Sequence, residues 1–289
     1  MPPYNLFGIE EPDYKKAKVV ALPIPYDSTT TYKSGARDGP HAIIDASRNL
    51  ELYNEEYGRE ITEIGIFTLD ELEPSLDSPE ATVNRIERES GLILDDKKIP
   101  LLIGGEHSVA IGSIRAVAKR NKDFSVIHFD AHSDYRNEYA GSRYCHACIM
   151  ARAREVCPSC YSVGVRSIDK ESAAKHSKDI FYRKDMLGKT VNGISEKINK
   201  RTKDKVYITI DFDVLDSGEM PSVGTPEPNG LSFGELQGIL KNILKEKQLL
   251  GIDFCELAPA PGMIAPNFLA AKLIFVTLGH AFFQKRGRQ

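Results

Sequence analysis

Two short polar clusters, 130-DAHSD-134 and 211-DFD-213, place carboxylates and an imidazole on alternate residues. In an extended chain leaving a strand, alternate side chains point the same way, so these spacings let donors converge on one point. Both clusters follow apolar, β-branched runs, 124-FSVIHF-129 and 205-KVYITI-210. Two more such runs end in polar groups: 99-IPLLIGG-105 leads into Glu106 and His107, and 249-LLGIDFC-255 into Glu256. Ligands of an open parallel sheet bind beyond the carboxyl ends of its strands. His107, Asp130, His132, Asp134, Asp211, Asp213 and Glu256 are therefore expected along one edge. Taken singly, each has a bland reading as a helix cap or a hydrogen-bonded structural group. Together they do not, because burying four carboxylates without cations is too costly. Two divalent cations would offset Asp130, Asp134, Asp211 and Asp213. Oxygen donors with two imidazoles and no thiolate favour manganese or magnesium over a structural zinc. Two such ions roughly 3.5 to 4 Å apart can activate a shared water, which predicts a hydrolase.

The elements that must position these residues follow from the apolar pattern. Eight candidate strands lie at 18–24, 61–69, 99–105, 124–130, 161–165, 179–182, 205–213 and 249–256. Amphipathic stretches at 79–97, 107–120, 189–200 and 232–247 read as helices between them. Strand and helix in alternation imply one parallel sheet covered on both faces. No linker or repeat interrupts the series, so residues 1–289 are expected to form a single domain. The apolar stretch 268-FLAAKLIFVTLGHAFF-283 contains Lys272 and His280. It is shorter than the roughly 20 residues needed to span a bilayer, and it reads as a buried C-terminal helix. The N-terminus lacks the pattern of a secretory signal, which points to a cytoplasmic protein. A net charge of −3 with 27% charged residues offers no bulk attraction to nucleic acid or an anionic membrane, so a small-molecule substrate is expected.

Taken as a set, 35-GARDGPHAI-43, 104-GGEHS-108, 130-DAHSD-134, 208-ITIDFDVLD-216, 224-GTPEPNGL-231 and 253-DFCELAP-259 resemble the motifs of the ureohydrolase family of arginases and agmatinases, in the family's order. Glu106 stands where many members have aspartate, and 216-DS replaces aspartate-proline, but neither change removes a proposed ligand. The resemblance implies a three-layer α/β/α fold with an eight-stranded parallel sheet and a centre of two Mn2+ ions. It also implies that His107, Asp130, Asp134 and Asp211 hold one ion and Asp130, His132, Asp211 and Asp213 the other. In such an enzyme an activated water attacks the guanidinium carbon, Asp134 relays the proton to the leaving amine, and Glu256 pairs with the guanidinium. Urea and an amine result. Trimers or hexamers are common in the family. His128 lies within its strand and reads as a supporting or core residue. His41, His176 and His280 fall in no motif.

The segment 145-CHACIMARAREVCPSC-160 carries two C-x-x-C pairs, a spacing that suggests zinc. Residues 149–156 are mostly strong helix formers. As a helix they would hold Cys148 and Cys157 about 13 Å apart along the axis, too far to share an ion bound at about 2.3 Å. A reactive pair is also disfavoured, since 157-CPSC-160 follows this helix instead of opening one. The cysteines read as small core residues or an incidental local disulfide. By resemblance, His146 is the histidine that shuttles protons in the family.

The substrate expected is agmatine, cleaved to putrescine. The loop 135-YRNEYAGSRYC-145 lacks the arrangement by which arginases hold an α-carboxylate and α-amine. Glu138 is the expected contact for a distal ammonium, whereas Arg136 or Arg143 would suit a carboxylate such as that of 4-guanidinobutyrate. Aminopropyl agmatine or arginine are alternatives within this chemistry. Outside it stand a one-metal zinc deacetylase of the same fold and a non-enzymatic metal-binding or redox-sensing protein built on the cysteines.

Overall fold

A computed structural model describes residues 3–284. Among the described residues, ten strands run β1 Val19–Ile24, β2 Tyr53–Asn54, β3 Arg59–Glu60, β4 Ile66–Thr68, β5 Ile99–Gly104, β6 Ser125–Phe129, β7 Cys160–Val165, β8 Ile180–Tyr182, β9 Lys205–Asp211 and β10 Gln248–Cys255. Eight of them form a sheet in the order β4-β1-β5-β10-β9-β6-β7-β8, with every pairing parallel. The remaining two, β2 and β3, make a short antiparallel ribbon.

The α-helices are α1 Gly39–Ser47, α2 Pro79–Asp95, α3 Ala110–Arg120, α4 Ile149–Val156, α5 Lys170–His176, α6 Val191–Arg201, α7 Phe233–Glu246 and α8 Ala265–Phe282. One layer joins α1, α8, α7 and α6 in contact, and α2, α3 and α4 pack together as the other. This is the three-layer α/β/α fold expected. The central strands are covered on both faces, so Ile127, Ile208 and Ile252 are fully buried. Each such side chain contributes roughly 1.5 to 3 kcal/mol.

Local chemistry sets the helix ends. Ser78 accepts the Ala81 N–H ahead of Pro79, and Ser232 and Glu235 form a reciprocal capping box on α7. The sequence reading treats 61–69 as one strand, but Ile61–Ile64 is a 3-10 turn and β4 begins only at Ile66. Between them Gly65 has φ 74°, and a Cβ there would lie 2.8 Å from the Lys16 carbonyl oxygen, so the chain can reverse only at glycine. The sequence reading also passes over α1, which starts at Gly39-Pro40 inside a stretch read as a motif, and the seven-residue α5.

The C-terminal helix α8 is buried as expected, and His280 lies near its end at 1% exposure. Its Nδ1 faces the Tyr57 hydroxyl at 2.8 Å and its Nε2 the Gln237 Oε1 at 3.1 Å. Tyr57 donating to a lone pair and the ring donating to Gln237 suit the neutral imidazole. Burial, in the presence of Glu56 and Lys241, lowers its pKa to about 4. The unfolded chain therefore binds a proton that the folded chain refuses, and stability falls as pH drops from 6.5 toward 4. Near pH 5 the loss from this one residue should be about 2 kcal/mol. Denaturant unfolding at pH 7 and pH 5 should show a smaller acid loss in His280→Gln than in the unsubstituted protein; equal losses would contradict the assignment.

Candidate active site

The sheet register places four strand ends side by side. Asp211 closes β9 opposite Cys255 of β10, Asp130 follows β6, and Glu256 follows β10. The exit of β5 is held by close backbone contact. Gly105 N donates to the Ile24 carbonyl at 2.8 Å, Glu106 N to that of Tyr26 at 2.7 Å, and Glu256 N to the Gly105 carbonyl at 2.7 Å. A Cβ on Gly105 would lie 2.1 Å from the Tyr26 oxygen, so only glycine permits this crossing.

Above this edge lies a cavity of about 320 Å³ whose walls include His107, Asp130, His132, Asp134, His146, Asp211, Asp213 and Glu256. Every metal-ligand candidate and both other catalytic candidates thus meet in one place. His107 Nδ1 faces Asp130 Oδ2 at 3.2 Å, Asp211 Oδ2 at 3.4 Å and Asp134 Oδ2 at 3.7 Å. His132 Nδ1 faces Asp213 Oδ2 at 2.8 Å and Asp130 Oδ1 at 3.4 Å. Two adjacent donor groups result, one of His107, His128, Asp130 and Asp134 and one of Asp130, His132 and Asp213, and Asp130 belongs to both. His128, placed as a supporting residue by the sequence, belongs to the first group, its Nε2 2.8 Å from Asp130 Oδ2 and its Nδ1 3.0 Å from Ser162 Oγ.

The electrostatics of the cluster call for cations. Burial and then the Asp130 charge push the Asp134 carboxyl well above its ordinary range. Burial and then Asp213 do the same to Asp211. Burial opposes the charge on both histidines, yet the surrounding aspartates raise the pKa of His107 and His132. A pair of divalent ions would take over the role of these protons and let all four carboxylates ionise. The donor set fits a binuclear metal site.

Two site residues adopt backbone conformations uncommon outside glycine: Asp134 at φ 51° and Glu256 at φ 72°. The Asp134 carbonyl accepts the Met150 N–H at 3.0 Å and that of Ala151 at 3.4 Å, so the open first turn of α4 holds Asp134 in place. The short turn His146–Cys148 leads directly into the same helix. His146 N donates to Thr29 Oγ1 at 3.3 Å, and its Nε2 lies 3.5 Å from Thr31 Oγ1. Burial lowers the His146 pKa, which favours the neutral ring at neutral pH. Glu256 Oε1 accepts the His107 N–H at 2.8 Å, and burial together with the nearby Glu106 charge raises the Glu256 pKa to about 8.

Glu138 is a correction. It is exposed and is absent from the cavity wall, whereas Arg136 and Tyr139 from the same loop line it. Asn137 is tied to Arg152 at 2.5 Å and Tyr139 meets His146 edge-on, which turns the residue between them to solvent. Arg143 pairs with Glu155 at 2.7 Å and is likewise absent from the wall.

The sequence reading missed Arg166, whose guanidinium donates to the carbonyls of Asp213 and Glu227 at 2.7 Å each and of Pro228 at 2.9 Å. It fastens the Asp213 turn to the 225–229 loop. Its place directly after β7, like that of the donors after β6 and β10, is its signal in the sequence. The cysteines are all buried free thiols, with Cys145 and Cys148 sulfurs 3.2 Å apart. Residues 149–156 form the expected helix. Among the described residues, neither C-x-x-C pair belongs to a group that could hold a metal.

A parallel sheet with two carboxylate-rich donor groups at its carboxyl edge, beside an acid and a histidine, defines a metal-dependent hydrolase. The Arginase family model matches residues 17–279, and the chain belongs to that family of ureohydrolases, which act on small guanidino compounds. It is 36% identical to the N(1)-aminopropylagmatine ureohydrolase of Synechocystis over 92% of this chain and 90% of that one. To the agmatinase of Pyrococcus horikoshii it is 32% identical over 96% of this chain and 97% of the other. The crystal structure of the agmatine ureohydrolase of Thermoplasma volcanium superposes with a TM-score of 0.86 at 31% identity, covering 93% of this chain and 91% of that one.

Asp211→Asn should release bound metal and reduce guanidine hydrolysis below detection, because the floor of the site loses the charge of a carboxylate that closes β9 beside His107. Cys157→Ser and Cys160→Ser should retain both metal and activity. Metal analysis after dialysis, alongside an assay for urea, checks both outcomes.

Proposed function

We propose that this protein hydrolyses the terminal guanidino group of agmatine or a longer agmatine-type amine, giving urea and the free amine, with two manganese ions as cofactor. The observation that carries the reading is the Glu256 carboxylate set in the wall of the same cavity as the paired donor groups and His146. Oxygen-rich ligation with two imidazoles favours manganese. When bound, the ions would supply Lewis-acid activation of water and neutralise the clustered aspartates.

The chain's own groups account for the remainder of the reaction. Glu256 is an acceptor for the planar guanidinium, whose positive charge would restore the ionised carboxylate. Asp134, on the cavity wall beside His107, is placed to pass a proton from the attacking water to the leaving nitrogen as the C–N bond breaks. The neutral ring of His146, at the cavity wall, can exchange a proton between the site and solvent. Guanidinium and water thus become urea and an alkylammonium, with charge conserved.

Relatives named for agmatine and for aminopropylagmatine both support an amine substrate. A second reading, a guanidino acid, is favoured by Arg136 on the cavity wall. Comparing kcat/KM across agmatine, aminopropylagmatine, 4-guanidinobutyrate and arginine decides the matter. One of the two amines should lead arginine by at least about tenfold, or about 1.4 kcal/mol; a lead for arginine or for the acid would overturn the substrate proposal. His146→Ala should lower turnover by about 100-fold or more while leaving metal content unchanged.

A further inference from the structure

Beneath the metal-facing side of His107, four buried groups form a chain across the central strands. Asp253 on β10 and Thr209 on β9 are register neighbours. His107 Nε2 lies 2.7 Å from Thr209 Oγ1, Thr209 Oγ1 donates to Asp253 Oδ1 at 2.7 Å, and the Tyr207 hydroxyl donates to Asp253 Oδ2 at 2.8 Å. Tyr207, Thr209 and Asp253 are fully buried and His107 is 1% exposed.

The hydrogen bonds along this chain set where its protons lie. Asp253 accepts from Tyr207 at Oδ2 and from Thr209 at Oδ1, so it draws the single hydroxyl proton of Thr209. Toward His107, Thr209 then has only lone pairs to offer. The imidazole must place its N–H on Nε2, and the lone pair of the neutral ring falls on Nδ1. That atom is the one facing Asp130, Asp211 and Asp134.

We propose that Asp253 and Thr209 are positioning residues that fix the tautomer and ring orientation of His107 for metal binding. The inference rests on reading His107 as a metal ligand. His107, Asp253 and Cys255 also sit close enough to suggest a separate ion site. The Thr209 hydroxyl occupies that space: His107 Nε2 is 3.9 Å from Asp253 Oδ1, with Thr209 Oγ1 2.7 Å from each. Histidine ligands are commonly held this way by a hydrogen bond to the second nitrogen, and losing that support costs about 10- to 100-fold in metal affinity.

The test is manganese binding by calorimetry and by metal content after equilibrium dialysis. Thr209→Val keeps the shape and removes the acceptor, so one of the two ions should bind about 10- to 100-fold more weakly. Thr209→Ser should restore wild-type affinity, and Asp253→Leu, which leaves the Thr209 hydroxyl without its acceptor, should resemble Thr209→Val. Unchanged affinity in Thr209→Val, or a serine variant as weak as valine, would overturn the relay. His107→Ala is the reference: if both ions stay bound there, the ligand assignment fails and the relay with it. If His107→Ala loses an ion while Thr209→Val does not, only the relay fails. Should Thr209→Val not fold, the unsubstituted protein loaded with diamagnetic zinc gives the answer by ¹⁵N–¹H correlation. A His107 proton on Nε2 supports the proposal, and one on Nδ1 overturns it.

Discussion

Mutual repulsion among the buried aspartates is the constraint around which this chain is built. Two carboxylates about 4 Å apart repel by roughly 4 kcal/mol at an effective dielectric of 20, and here four converge on one cavity. Held by flexible loops they would turn outward to water. They remain because each is fixed by something rigid. Asp211 closes a central strand and accepts the Asp213 N–H at 2.7 Å, Asp130 follows a strand, and Asp213 accepts the Ala131 N–H at 3.0 Å. Asp134 lies outside the sheet, and there the first turn of α4 does the holding. The uncommon backbone angles of Asp134 and Glu256 fall at two of the residues that line the cavity.

The same constraint reaches into the sheet. Asp253, Thr209, His128 and Ser162 form a lateral row across four adjacent strands, where a covered parallel sheet would ordinarily carry apolar side chains. Each member is hydrogen-bonded, so the row is tolerated without the penalty of an unpaired buried polar group. Its histidine leads upward to Asp130, and its aspartate and threonine lead to His107. Polar residues in mid-strand are thus the lower storey of the site.

These features differ in how far the sequence reveals them, and the difference follows from locality. The eight strands of the sheet and the convergence of seven donors come from short-range patterns: an apolar run of fixed direction followed by a polar group. The short helix α1 opens with Gly39-Pro40, and a Cβ on Gly39 would lie 2.5 Å from the Leu257 carbonyl oxygen. That close packing is a tertiary fact with no periodic trace. Glu138 was misplaced for a related reason, since its outward turn depends on Arg152, fifteen residues along, gripping Asn137. Arg166 and Thr209 act on backbone or side chains distant in sequence. Asp253 was visible as a charge within an apolar run, but its partner was not.

A division of labour follows from where each group is anchored. The floor of the cavity comes from strand ends, where a one-residue slip would turn every donor to the opposite face. Its rim comes from connecting segments: Thr30 to Lys33, Arg136 and Tyr139, Ser167 to Asp169, and Thr225. Changing a floor residue disturbs four carboxylates that are stable only as a set. Rim residues lie on loops and touch the floor's neighbours at few points, Thr31 and Tyr139 beside His146, so changing one disturbs the four carboxylates less. On the proposed function, the sheet fixes the reaction class, while the loops would read the length and charge of the chain carrying the guanidinium. Proteins sharing this floor can act on guanidino compounds that differ only beyond the reacting carbon, as the names of this chain's relatives illustrate.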